Sequence, residues 1–217
     1  MRRRIKICCI AEESELALAV AAGADALGLV GPMPSGPGQI PLGRARALAR
    51  RCPPPVASVL LSSARDADAL AREIEAVHPT ALQIVDRMAG PEHRRLRRAF
   101  PWLRLVQVVH VEGPAAIEEA RAAEESVDAL PLDSGRPRAV VPELGGTGRR
   151  HDWRLSRAIV ETVRVPVFLA GGLDAESVGE AVRTVRPWAV DVCSGVRVDG
   201  RLDPERLRAF VAAVAAA

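Results

Sequence analysis

A thiol, a carboxylate and three glycine-rich turns stand at the ends of apolar runs in this chain. Cys8 closes Lys6-Ile7-Cys8 and Asp133 closes the run from Val127, while Gly146-Thr147-Gly148, Gly171-Gly172 and Ser194-Gly195 each fall in a loop. A thiolate can take a proton and a carboxylic acid can give one. Backbone amides of glycine turns can face an anion such as a phosphate group. Together these residues point to proton transfer on a phosphorylated sugar. Read singly they are weaker: a free cysteine is most often a small buried hydrophobe, and an aspartate before Ser-Gly can simply cap a turn.

Strand-like runs at Ile5–Ile10, Ala26–Val30, Pro55–Leu61, Ala81–Asp86, Leu103–Val111, Val127–Asp133, Val165–Ala170 and Trp188–Cys193 number eight. Helical patterns lie between them, among them Ser14–Ala22, Asp66–Ala76, Pro114–Ala123, Asp152–Thr162 and Ala175–Val185, and Pro204–Ala216 closes the chain. Alternation of β and α implies a parallel sheet. Eight units predict closure into one α/β domain over residues 1–217, a (β/α)8 TIM barrel, with its chemistry at the C-terminal ends of the strands and its phosphate site after strands seven and eight. An open dinucleotide-binding sheet is disfavoured, because Cys9-Ile10-Ala11-Glu12 follows the first strand where a glycine-rich turn would be needed.

Side chains alternate along a strand, so Lys6 shares a face with Cys8, and Asp191 with Cys193. In a closed barrel the first and last strands are neighbours, and the expectation is a buried Lys6–Asp191 ion pair supporting the Cys8 thiolate. Parity puts Cys9 on the helix side and Asp133 inward with Ala129 and Pro131. It leaves the face of His110 open. His78 and His93 are expected at the surface and His151 just ahead of a helix, with no metal cluster among them.

Of 217 residues, 48% are hydrophobic, and 30 basic residues nearly balance 27 acidic ones for a net charge of +3. Charge spread this evenly, with no Tyr, three Phe and three Trp, argues against nucleic acid as a partner. No apolar run approaches the roughly 20 residues of a membrane span. The four cysteines match neither zinc spacing nor a secreted disulfide framework, so a reducing cytoplasm is expected. A monomer and a homodimer remain equally open.

At the quoted residues the chain resembles the phosphoribosylanthranilate isomerase family of tryptophan biosynthesis. The resemblance is densest in Val127–Ser134, Gly145–Trp153, Val167–Leu173 and Val190–Val196. It implies a (β/α)8 enzyme performing an Amadori rearrangement without cofactor or metal. It assigns the role of general base at ribose C2′ to Cys8, that of the acid protonating the furanose oxygen to Asp133, and the substrate phosphate to loops containing Gly146, Gly172, Ser194 and Gly195. The N-terminal half departs from the family pattern: Cys9 replaces the usual glycine, Asp86 ends strand four where the family pattern is Gln-Leu-His-Gly, and Gln107 stands where strand five often carries lysine. No arginine occurs between Val30 and Leu42, where the family has one for the anthranilate carboxylate. A related isomerase with another aglycone and a non-catalytic barrel binding a phosphorylated metabolite are the alternatives to the anthranilate reaction.

Overall fold

The computed structural model describes residues 2–135 and 150–217. The barrel strands are β1 (Arg4–Ile7), β2 (Ala26–Val30), β3 (Ala57–Ser62), β4 (Ala81–Ile84), β5 (Arg104–Gln107), β6 (Val109–His110), β7 (Leu130–Asp133), β8 (Val167–Leu169) and β9 (Ala189–Val192). Helices α1 (Glu13–Ala21), α2 (Leu42–Ala49), α3 (Ala67–Val77), α4 (Gly90–Ala99), α5 (Ala115–Glu124), α6 (Trp153–Thr162), α7 (Val178–Val185) and α8 (Pro204–Ala215) surround them. A short hairpin, β10 (Arg197–Val198) with β11 (Arg201–Leu202), precedes α8.

The sheet order is β5-β4-β3-β2-β1-β9-β8-β7-β6, and all of these pairings are parallel. β5 and β6 are two halves of one strand interrupted at Val108, so the order returns to its start. The Gln107 amide donates to Ala129 O at 3.2 Å, and a bridge joins Val106 to Ala129, which completes the ring. This is a (β/α)8 barrel. The fifth expected strand, Leu103–Val111, thus carries a break. The first ends at Ile7 instead of Ile10, although the Cys8 amide still reaches Val192 O at 2.8 Å.

Alternation along the strands sorts the core into two layers. Ile5, Ile7, Leu27, Leu29, Leu60, Leu82, Leu105, Leu130, Leu132, Leu169 and Val190 pack outward against the helices. Inside the barrel Cys8, Val30, Val59, Leu61, Ala81, Val85 and Val108 form a second cluster. The helices present matching stripes: in α3 the buried residues are Ala67, Leu70, Ile74 and Val77, spaced by three and four. Asp66 caps that helix by accepting from the Ala69 amide at 2.8 Å, and His78 ends it in the left-handed region at φ 55°. Helix α2 carries a weak sequence pattern, because its Arg-rich face leaves only Ala45 and Leu48 as buried signals.

Candidate active site

The C-terminal ends of the strands surround a cleft that is open to solvent at the top. Its floor is polar, with Cys8, Gln83, Asp133 and Asp191. One wall is apolar, with Val30, Met33, Leu61 and Val85. Gly171, Gly172 and Ser194 border it on the side of β8 and β9.

Cys8 leaves the top of β1 with its thiol inside the barrel. Lys6, two residues earlier on the same face, reaches Cys8 Sγ with its Nζ at 3.5 Å and Asp191 Oδ2 at 2.5 Å. Lys6 and Asp191 are register partners on β1 and β9, 1% and 6% exposed, so each charge is held by the other. Burial alone would pull the lysine pKa down, but Asp191 and the Cys8 thiol outweigh it and raise the value, keeping the cation charged. The Cys8 pKa is lowered, first by a hydrogen bond from the Cys9 thiol and then by Lys6, against the opposing effect of burial.

Space for that thiol is made by Gly28 on β2. A Cβ at Gly28 would stand 2.6 Å from Cys8 Sγ and 3.0 Å from Cys8 Cα. An isolated glycine within a strand signals such a close approach, and this is the cue by which Gly28 could have been found in the sequence. Gly28→Ala must displace the thiol, and a shift of about 1 Å can cost on the order of 10²-fold in rate. The expected result is a kcat fall of that order with an unchanged circular-dichroism spectrum. A kcat within a factor of two of wild type would show that the thiol has room to spare.

Asp133, the last residue of β7, opens onto the same cleft. Its Oδ1 accepts from the Ser134 amide at 2.7 Å, which leaves Oδ2 as the oxygen available to carry a proton. Desolvation raises its pKa, and Asp191 adds to the rise, while the Ser134 amide and His110 act in the opposite direction. Gly171, at φ 85°, packs against this residue: a Cβ there would lie 2.8 Å from Ser134 Oγ and 3.2 Å from Asp133 Oδ1. Gly172 follows at φ 63°. Two successive residues in the left-handed region favour glycine. The amides of Gly172, Ser194 and Gly195 find no acceptor among the described residues. Gly195 fits directly beneath the carbonyl of Leu173, so the loops after β8 and β9 lean on each other. Gly146, Thr147 and Gly148 lie outside the described residues.

Two expectations are corrected. Cys9 does not face the helices: its φ of 65° turns the chain at the end of β1 and brings its side chain, 5% exposed, into the inner cluster beside Cys8. A left-handed backbone is also why glycine suits this position. His93 is not at the surface; it is 3% exposed, with its Nε2 3.1 Å from Gln107 Oε1, and burial lowers its pKa. His110, whose face the sequence left open, is the register partner of Asp133, with its Nε2 2.9 Å from Val85 O.

One positioning residue was missed entirely. Arg197, 8% exposed, donates to Cys8 O at 3.1 Å and Cys9 O at 2.6 Å while pairing with Glu15 Oε1 at 2.6 Å. It clamps the end of β1 to α1 and the β10–β11 hairpin, across 189 residues of sequence separation. No local pattern announces such a contact. Arg87, just past the end of β4, stands on another cleft between α4 and α5, 3.4 Å from Glu119. Among the described residues no arginine lines the Cys8 cleft.

A parallel barrel with a thiol and a carboxyl on one cleft floor, beside glycine-lined loops after the last two barrel strands, defines a class of (β/α)8 proteins built for acid–base chemistry on phosphorylated ligands. The profile of the family described as N-(5'phosphoribosyl)anthranilate (PRA) isomerase matches residues 5–213, and the chain belongs to that family. It is 41% identical to N-(5'-phosphoribosyl)anthranilate isomerase of Haloferax volcanii, over 97% of this chain and 92% of that one. With the enzyme of the same name from Methanocella arvoryzae it shares 38% identity over 96% of each chain. Phosphoribosyl anthranilate isomerase from Thermus thermophilus superposes with a TM-score of 0.83 at 30% identity, covering 98% of both chains. A further solved structure, 26% identical with a TM-score of 0.81 over 98% of both chains, is of phosphoribosyl anthranilate isomerase in complex with reduced 1-(o-carboxyphenylamino)-1-deoxyribulose 5-phosphate.

Proposed function

We propose that the chain acts as one barrel domain that isomerises N-(5-phosphoribosyl)anthranilate, with Asp133 as the acid and Cys8 as the base. Asp133 protonates the furanose oxygen as the C1′–O bond breaks, which leaves an iminium at C1′. Cys8 thiolate then removes the C2′ proton to give the enolamine, and tautomerisation of the enol places the carbonyl at C2′ and the amine on C1′ as a methylene. The observation that carries this reading is the placement of both groups on one cleft floor with the buried Lys6 cation behind the thiol. No metal-ligating group of three or more His, Cys, Asp or Glu occurs among the described residues, and each step uses a side chain already present.

The rest of the cleft fits the parts of that substrate. Val30, Met33, Leu61 and Val85 form a wall suited to an aromatic ring, and the Gly172, Ser194 and Gly195 amides are suited to the phosphate. The partner is therefore a phosphorylated small molecule. No helix among the described residues is long and apolar enough to cross a membrane, in keeping with a cytoplasmic biosynthetic enzyme.

The pH profile tests the pair. The active form carries Cys8 ionised and Asp133 protonated. Because the thiol pKa is lowered from 9.0 and the carboxyl pKa raised from 3.8, the two move toward each other and that form becomes more populated. Plotted against pH, kcat/KM is expected to be bell-shaped, rising through one of these ionisations and falling through the other. Cys8→Ser should remove the limb that belongs to the thiol. An unaltered profile in that variant would exclude Cys8 as the base.

A further inference from the structure

Three of the four cysteines meet at the cleft. All three line it, and Cys193 packs against the inner cluster that contains Cys8 and Cys9. Cys8 and Cys193 also follow the paired residues Ile7 and Val192, and the Cys8 amide donates to Val192 O at 2.8 Å. Neighbours in adjacent strands lie about 4.8 Å apart, inside the range of roughly 4.4–6.8 Å over which a disulfide joins two Cα atoms.

We propose that this cluster is an oxidative modification site, at which a hydroperoxide links Cys8 to Cys193 and reversibly silences the cleft. The Cys8 thiolate attacks the peroxide, the O–O bond breaks, hydroxide leaves and Cys8 becomes a sulfenic acid. The Cys193 thiol attacks that sulfur, the S–S bond forms, and the hydroxyl departs as water with the thiol proton. Two thiols and one hydrogen peroxide give one disulfide and two waters. The open cleft admits a reagent of this size, and the Lys6 ammonium 3.5 Å from Cys8 Sγ favours the attacking thiolate. Cys52 serves as an internal reference: it is absent from the cleft lining, and burial pushes its thiol up to about 11.

Bond formation stands on the cysteine geometry alone, whereas the loss of turnover rests on the reading of Cys8 as base. The two are separated by reading both in one experiment. Purified protein is treated with stoichiometric hydrogen peroxide, alkylated, and mapped by mass spectrometry, while turnover of phosphoribosylanthranilate is measured before treatment, after it, and after dithiothreitol. The expected result is a Cys8–Cys193 linked peptide, Cys52 alkylated, turnover lost in proportion to the linked fraction, and recovery on reduction. Cys193→Ser, given a further equivalent of hydrogen peroxide and compared with its own untreated activity, should fail to recover on reduction, because the second peroxide carries the unlinked Cys8 sulfenic acid to the sulfinic acid and leaves as water. A Cys8 sulfinic acid with Cys193 alkylated in the wild type, a linkage joining other cysteines, or full recovery of Cys193→Ser would overturn the proposal. The linked peptide in protein without initial turnover would sustain the modification site and refute the assigned reaction instead.

Discussion

Cys8→Ala and Asp133→Asn are each expected to lower kcat for phosphoribosylanthranilate by about 10²–10⁴-fold, the usual contribution of a positioned acid or base. Neither change should greatly weaken binding, since the phosphate is assigned to the glycine-lined side of the cleft and the aromatic ring to the apolar wall. The two substitutions also act on one reaction coordinate, so the double variant should fall short of the product of the single effects. Steady-state kinetics with a phosphate-containing product analogue as competitive inhibitor separates the outcomes. Inhibition constants within a few-fold of wild type, together with collapsed kcat, support the assignment. A kcat within tenfold of wild type in either variant would remove that residue from the chemistry.

Removing the cation beneath the thiol should have the largest effect on stability. Lys6→Met leaves Asp191 almost fully buried, its Oδ2 without the ammonium 2.5 Å away and its Oδ1 without a hydrogen-bond partner among the described residues. Breaking a buried pair from one side costs about 3–5 kcal/mol. For a chain of this length that corresponds to a fall in Tm of roughly 6–20 °C. Lys6→Met with Asp191→Leu should recover most of the loss, because replacing both members with apolar groups removes the stranded charge. Thermal unfolding of the two variants decides this. A Tm within about 2 °C of wild type for Lys6→Met alone would show that the pair contributes little to stability. In the soluble fraction of Lys6→Met, the thiol limb of the pH profile should move to higher pH, since Lys6 helps to lower the Cys8 pKa.

Much of this site could be read from strand parity. Lys6, Cys8 and Asp191 needed only a period of two and the knowledge that a barrel makes its first and last strands neighbours. Asp133 followed from the same period on its strand. Cys9 broke the rule because the strand ends before it and its φ is positive, and parity carries no information past the end of a ladder. His93 was placed at the surface because Arg94, Arg95, Arg97 and Arg98 surround it in sequence, yet helical geometry puts it on the same face as Leu96, toward the barrel. Arg197 was invisible for another reason: its partners Cys8, Cys9 and Glu15 are brought to it by closure of the whole barrel. The break at Val108 likewise has no local turn residue to mark it.

We propose that a thiol just past the end of β1 drives an Amadori rearrangement in a cleft lined, among the described residues, by no arginine. This is tested most directly by the fluorescence decay of freshly generated phosphoribosylanthranilate in the presence of purified protein, run beside Cys8→Ala. Rapid decay by the wild type, reduced to the spontaneous rate in the variant, is the predicted result. No acceleration by folded wild-type protein, or equal acceleration by Cys8→Ala, would contradict it.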